Sequence, residues 1–292
     1  MPSRLPAADI ARAVAVALIW GMGYVIAKGA MAAFPPILLM AFRFAVTAAL
    51  LVWVAGLPRG NLPRLIAMSV VGAAIQYSLT FTGVSGVDAG LAALVMQLEV
   101  PFLVLLGALF LGERPGLRRW LGMAVAFAGV GLIAGQVRFE GEWIFLVMLA
   151  GGAFSWASGQ VMVRGIRGME GLAVTAWTAV LATPQLFLVS FLFEDGQAEA
   201  IAAAGPGVWA AVVYLGVVMT ALGYWLWNTL LLRHEVGRVA PYLLLMPMFS
   251  VMGGVLFLGE SPSIGQLAGG AVVLIGVAII TFERRPQPAA AP

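Results

Sequence analysis

The sequence predicts an all-α polytopic membrane protein, with ten transmembrane helices arranged as two inverted five-helix repeats. Three observations predict it. Sixty-two per cent of the 292 residues are hydrophobic, ten per cent are charged and the mean hydropathy is +1.01, whereas a soluble domain carries about 25% charged residues. The apolar stretches divide into ten segments of about the 20 residues needed to cross a bilayer. A motif also occurs twice: Pro101, Phe110-Leu111-Gly112-Glu113 and Pro115 are matched, after one inserted residue, by Pro247, Phe257-Leu258-Gly259-Glu260 and Pro262.

Cutting at charges, prolines and glycines places the spans at 10–33, 36–56, 63–84, 88–111, 117–137, 143–166, 171–193, 206–232, 236–258 and 264–283. Arg4 and Arg12 before an apolar run imitate a secretory signal, but removing that run would orphan half of the repeat, so it is read as span 1. Connections are short, and only the tail after Arg284 has a disordered composition. The repeats are therefore assigned to 1–138 and 139–284, with a cytoplasmic tail at 285–292.

Placing the N-terminus inside puts thirteen basic residues in cytoplasmic segments: Arg4, Arg12, Arg59, Arg64, Arg114, Arg118, Arg119, Arg164, Arg167, Arg233, Arg238, Arg284 and Arg285. Lys28 and Arg138 alone fall outside, and Arg43 lies within a span. The positive-inside bias then predicts both termini in the cytoplasm. The net charge of +3 reflects this topology, and a nucleic-acid partner has no support.

The duplication reaches further. Trp20-x-x-Gly23-x-Val25 in span 1 matches Trp156-x-x-Gly159-x-Val161 in span 6, and Lys28-Gly29 is echoed by Arg164-Gly165. Spans 1 to 5 thus correspond to 6 to 10, and because five is odd the second copy enters the membrane from the other side. Inverted repeats can exchange outward-open and inward-open shapes around a midplane site, which is a transporter's device. Pro101, Pro184, Pro241 and Pro247 are expected to interrupt spans 4, 7 and 9. Spans 4 and 9 are candidate cavity walls, because broken backbone needs a protein or aqueous surround; a kink that only improves packing is the alternative.

These features resemble a known family. The ten spans, the doubled Pro…Phe-Leu-Gly-Glu-x-Pro pattern, Trp20-Gly21 and Ala41-x-Arg43-Phe44 are similar to the drug/metabolite transporter superfamily, EamA type, over residues 10–283. The overall pattern is most similar to bacterial inner-membrane aromatic amino-acid exporters. The resemblance implies a multi-pass inner-membrane location and export of phenylalanine, tyrosine or tryptophan with other amphipathic metabolites. It also places Arg43 in a recurrent motif of span 2 rather than in a known substrate pocket.

Membrane-embedded ionisable groups cost at least ~2.5 kcal/mol each on insertion scales, face the bundle interior and pair. Arg43 and Glu99 are the two to explain. Glu99, near half depth, is read as a proton carrier or partner for a substrate ammonium, or alternatively as a structural partner of Arg43 or a glutamate kept neutral by burial. For Arg43 the structural reading is favoured. Trp20 and Tyr24, like Trp156 and Gln160, are four residues apart and share a helix face. Gln76, Tyr77, Thr80, Gln97, Tyr224, Trp227, Asn228 and Met246 complete the candidate substrate-binding set, each weighed against ordinary packing. Trp53, Trp120, Trp143 and Trp209 near span ends suit an interfacial belt or packing.

Gly131-x-x-x-Gly135 in span 5 and Gly265-x-x-x-Gly269 in span 10 permit close approach, to each other or to a second subunit in a homodimer. Glu113 and Glu260 are expected to cap the helices that follow Pro115 and Pro262. His234, the lone histidine, is read as a solvated loop residue. Absence of cysteine excludes thiol chemistry and disulfides. A nucleotide-binding Gly-rich loop and a metal-ligand cluster are also missing from the sequence, so an enzyme, an ATP-driven pump and a cofactor are not expected. The prediction is a secondary transporter for small organic solutes such as amino acids, in contact with lipid. A quaternary-cation drug exporter of the same fold is the alternative, because tryptophans beside Glu99 also make a cation site.

Overall fold

A computed structural model describes residues 5–58, 60–110, 112, 115–135, 143–163, 166, 168–234 and 239–281. Among these, nine helices are long and apolar enough to cross a membrane, and a tenth apolar helix is shorter. They are α1 (Ala7–Ala30), α2 (Pro36–Val54), α3 (Leu62–Gly86), α4 (Ala89–Phe110), α5 (Leu117–Ala134), α6 (Trp143–Val163), α7 (Gly171–Phe193), α8 (206–233), α9 (240–258) and α10 (Ile264–Thr281). The bounds match the expected spans to within a few residues. A short helix, Gln197–Ala203, entered through Gly196 at φ 76°, was not anticipated in the α7–α8 connection.

The packing pattern is unchanged when the two halves are exchanged. α1 packs on α8 and α9 as α6 packs on α3 and α4, while α2 crosses α7, α4 crosses α9 and α5 runs along α10. The α5–α10 seam shows the symmetry atom by atom. A Cβ on Gly122 would lie 2.8 Å from the Gly276 carbonyl oxygen, and one on Gly129 would lie 2.9 Å from that of Gly269. Superposing the two Phe-Leu-Gly-Glu motifs sends Gly122 onto Gly269 and Gly129 onto Gly276, so one contact is the other turned by the two-fold. In lipid, burial of apolar surface does not drive helices together; close van der Waals approach does, and glycine at a seven-residue spacing supplies it. The working glycines differ from the motif read from sequence, since Gly131 faces open space.

Local backbone departs from the α-helix at related places. α4 breaks at Gln97-Leu98 before Pro101, and α9 opens with a 3-10 segment, Ala240–Leu245, before Pro247. α7 is not interrupted as expected, because it continues through Pro184. α3 and α8 each contain a π-helical stretch, Val70–Ile75 and Tyr214–Leu222. Such wide turns free carbonyls that need donors. Ser155 of α6 donates to Val71 O (2.6 Å), Trp20 of α1 to Met219 O (3.0 Å) and Thr47 of α2 to Gly216 O (3.1 Å).

Two further expectations are corrected. Glu260 does not cap α10: Ser263 and Gln266 form that cap, each side chain accepting the other's backbone N–H at 3.1 and 2.8 Å. Having no role there, Glu260 turns back to the N-terminus of α4. His234 is not solvated, for its Nε2 donates to Asp9 Oδ2 at 2.7 Å, and Asp9 also pairs with Arg12 and, at 3.7 Å, Arg233. A buried carboxylate in the first turn of α1 recruits every cation nearby. Glu113, Arg4, Arg59, Arg114, Arg138, Arg164, Gly165, Arg167, Arg238, Arg284, Arg285 and the Asn228 side chain lie outside the described residues.

Candidate functional site

A cavity of about 250 Å³ lies between the halves, near the ~300 Å³ lower end of small-molecule sites. α3 lines it with Met68, Gly72, Ala73 and Tyr77, and α6 with Trp156, Gly159, Gln160 and Val163. α7 adds Gly171, Val174, Thr175 and Thr178, α8 adds Thr220 and Tyr224, α2 adds Phe44, and the α6–α7 connection adds Ile166 and Met169. The cavity thus runs from the middle of the bundle to the α6–α7 connection, on the face that carries the start of α1 and Arg12, Arg64 and Arg233.

Glycine makes that space. A Cβ on Gly72 would sit 2.9 Å from Gly159 Cα, and one on Gly159 would sit 2.6 Å from Gly72 Cα, so α3 and α6 cross at backbone contact below the cavity wall. Tyr77, Trp156, Gln160 and Tyr224 are the sequence-predicted residues that line it. Trp20 stands one layer behind, its ring 5.4 Å from Tyr224 and 6.0 Å from Trp227. The others are packed away: Tyr24 stacks on Phe81 at 6.1 Å, Gln76 donates to Thr80 at 3.0 Å, and Gln97 and Met246 are buried. Glu99 is not on the cavity wall. The breaks in α4 and α9 lie in the core rather than on the expected wall, and α2 and α7 take the place that α1 and α4 were expected to fill.

Sequence reading missed the α7 side, Met68, Val163, Ile166 and Met169, and the glycines. Thr175 and Thr178, three residues apart in an apolar helix, were the available signal. Both hydroxyls are committed to carbonyls one turn back, Gly171 O at 3.0 Å and Val174 O at 2.7 Å. The polar groups left to a ligand are therefore the Gln160 amide and, at the deep end, the one O–H that the hydrogen-bonded Tyr77–Tyr224 pair keeps. No acidic side chain is among the lining residues.

Arg43 lies directly behind that end, 2% exposed. Its Nε donates to Thr220 Oγ1 at 3.0 Å and one terminal nitrogen to Tyr77 Oη at 3.4 Å, while the other faces Met40 Sδ at 3.8 Å. The guanidinium carbon sits 4.8 Å from the centre of the Tyr77 ring, 5.8 Å from that of Phe44 and 5.9 Å from that of Phe81. The expected Arg43–Glu99 ion pair is not among the ion pairs within 4.0 Å of the described residues.

The opposite face is stitched shut by carboxylates of the second half. Glu260 accepts from Ala89 N at the start of α4 (2.8 Å) and pairs with Lys28 of α1 (3.1 Å); Lys28 also donates to Val87 O and lies 3.9 Å from Asp88. Glu194 accepts from Ile37 N and Leu38 N at the start of α2, at 2.7 and 3.0 Å. Both carboxylates satisfy orphan amides at the positive end of a helix. On the same face Phe34 stacks on Phe42 at 5.7 Å, and the pairs Phe34–Trp209, Phe42–Phe187 and Phe42–Trp209 meet edge to face at 5.1–5.4 Å.

The EamA-like transporter family matches this chain twice, over residues 10–135 and 143–282, one match on each five-helix half. The chain belongs to the EamA-like transporter family. It is a multi-pass membrane transporter rather than an enzyme. Among curated relatives, a probable amino-acid metabolite efflux pump of Salmonella typhimurium is 31% identical over 284 residues, covering 94% of each chain. A protein of the same description from Escherichia coli is 30% identical over 285 residues, again covering 94% of each. A solved crystal structure shares the fold with a TM-score of 0.65 at 22% identity, covering 95% of this transporter and 96% of that chain.

Proposed function

We propose that the transporter exports amino acids with large apolar side chains, aromatic ones foremost, by alternating access of its two halves. The observation that carries the reading is the cavity: aromatic and aliphatic walls, one amide, two tyrosine hydroxyls and no carboxylate, held between inverted repeats and closed on one face only. Such a site covers a ring with Trp156, Tyr224 and Phe44 and offers a zwitterion few but convergent polar partners. Two curated relatives, 31% and 30% identical, are each described as a probable amino-acid metabolite efflux pump, which supports the substrate class. The basic face is taken as cytoplasmic by the positive-inside bias, so the cavity in this structure faces the side from which an exporter loads.

A cation-exporting reading loses ground. An acidic group is the usual counter-charge for a cation, yet Glu99 stands off the cavity and the buried charge beside it is Arg43. Competitive counterflow in proteoliposomes tests the choice. Tryptophan, phenylalanine and tyrosine should drive uptake of labelled tryptophan, and a quaternary ammonium dye should not compete. Exchange of the dye in place of tryptophan would reverse the conclusion.

A further inference from the structure

We infer that Arg43 is the anion anchor of the cavity: the site selects solutes carrying a carboxylate, and the guanidinium behind Tyr77 and Thr220 supplies the charge that holds it. The inference rests on the reading that this cavity is the transport site.

The argument starts from Arg43's charge. Guanidinium stays protonated in proteins and has five N–H donors in a fork that matches a carboxylate. At 2% exposure, and in a chain surrounded by lipid, that charge needs compensation. What it has is a threonine oxygen, a phenol oxygen at the long end of hydrogen-bond range and a thioether, which is a weak acceptor. Three ring faces add cation–π attraction, yet none of these is an anion. A purely structural arginine in a membrane core would be expected to hold an acid, and Glu99, the acid available on α4, is not its partner.

The direction in which the charge is offered follows from the neighbours. Tyr77, Thr220 and Phe44 contact Arg43 on one side and line the cavity on the other. Thr220 is spent: it accepts from Arg43 and donates to Leu215 O at 2.8 Å, a carbonyl five residues back that the π-helical stretch leaves within reach. Tyr77 accepts from Arg43 and is hydrogen-bonded to the Tyr224 hydroxyl, so whichever phenol donates to the other, the pair keeps one O–H for a ligand. A carboxylate at the deep end therefore meets that hydroxyl, with the positive charge of Arg43 one layer behind it, and the apolar part of the solute lies toward Trp156. Seven residues in from Pro36, about 10 Å along α2, Arg43 lies near mid-span on the side of the sealed face, so a solute so anchored occupies the end of the cavity that must open next.

Matched ligands on purified full-length protein test this. Carboxylates (tryptophan, indole-3-propionate, 3-phenylpropionate, cyclohexanepropionate) are compared with the amines of the same apolar groups (tryptamine, 2-phenylethylamine, 2-cyclohexylethylamine) by thermal stabilisation and by competition for bound label. The expected result is at least tenfold tighter binding of each carboxylate than of its amine, lost in Arg43→Gln and reduced in Tyr77→Phe, with part of the preference kept in Arg43→Lys. A structural arginine would weaken both series alike. Where Arg43→Gln does not fold, the ranking in the unaltered protein and in Tyr77→Phe decides. Amines ranking above carboxylates, neither series binding, or the preference surviving Arg43→Gln would each overturn the inference. Failure of the proposed function reads differently: carboxylates of every apolar group bind while labelled tryptophan shows no counterflow.

Discussion

Glu260 offers the sharpest perturbation of the closed face. Its carboxylate joins three elements, accepting the Ala89 amide of α4 at 2.8 Å and pairing with Lys28 of α1 at 3.1 Å from the α9–α10 connection. Glu260→Gln preserves shape and removes the charge. Breaking a fully buried ion pair costs about 3–5 kcal/mol because a charge is left uncompensated. The Glu260 side chain is 7% exposed but that of Lys28 is 23% exposed at a water-facing end, so roughly half of the ~4 kcal/mol midpoint applies, about 2 kcal/mol. If the contact exists only while this face is shut, the population open to that side rises by a factor of ~30. The chain contains no cysteine, so one introduced at Gln160 in the cavity reports without background. A membrane-impermeant maleimide should label the Gln160→Cys protein from the basic face. With Glu260→Gln added, labelling from the opposite face should accelerate about 30-fold. Unchanged sidedness would refute the claim that this contact holds the face closed.

Other outcomes follow from the same geometry. Gly129→Leu places a side chain where a Cβ alone already comes within 2.6 Å of Val273 N; thermal unfolding in detergent should fall by at least the ~1–3 kcal/mol of core overpacking, since backbone must move. Gly159→Val should push α3 from α6 and lower tryptophan affinity more than tenfold while the protein remains monodisperse, a split that ligand-dependent thermal shifts would read. Asp9→Ala leaves His234 and Arg12 without their shared acceptor, and should lower the thermal unfolding temperature with little change in substrate selectivity. Glu99→Gln should leave KM for tryptophan within about threefold, because Glu99 is off the cavity wall; a large rise in KM would restore it as the ammonium partner.

The fold was legible because lipid imposes simple rules. Span length and the doubled Phe-Leu-Gly-Glu motif are one-dimensional signals, and ten helices followed from them to within a few residues. The site was half legible. Tyr77, Trp156, Gln160 and Tyr224 stood out because aromatic and amide groups deep in a span need partners, and they do meet in one cavity. Tyr24, Gln76, Thr80, Gln97 and Met246 carry the same signal yet are packed into the core, since composition does not say which way a helix is turned. The α7 wall and the Gly72–Gly159 crossing depend on contacts between distant segments, which no spacing rule encodes. Glu260 was misassigned for a related reason: a carboxylate near two helix starts can cap either, and the nearby Ser263–Gln266 pair had already taken α10.

Ligand protection inside the cavity bears most directly on where the solute sits. With a single cysteine at Thr178 on the α7 wall, and another protein carrying one at Trp53, which is 86% exposed, saturating tryptophan should slow maleimide modification of the first at least tenfold and leave the second unchanged. Equal rates at Thr178→Cys with and without tryptophan, in protein that exchanges tryptophan across the membrane, would place the solute elsewhere and contradict the account.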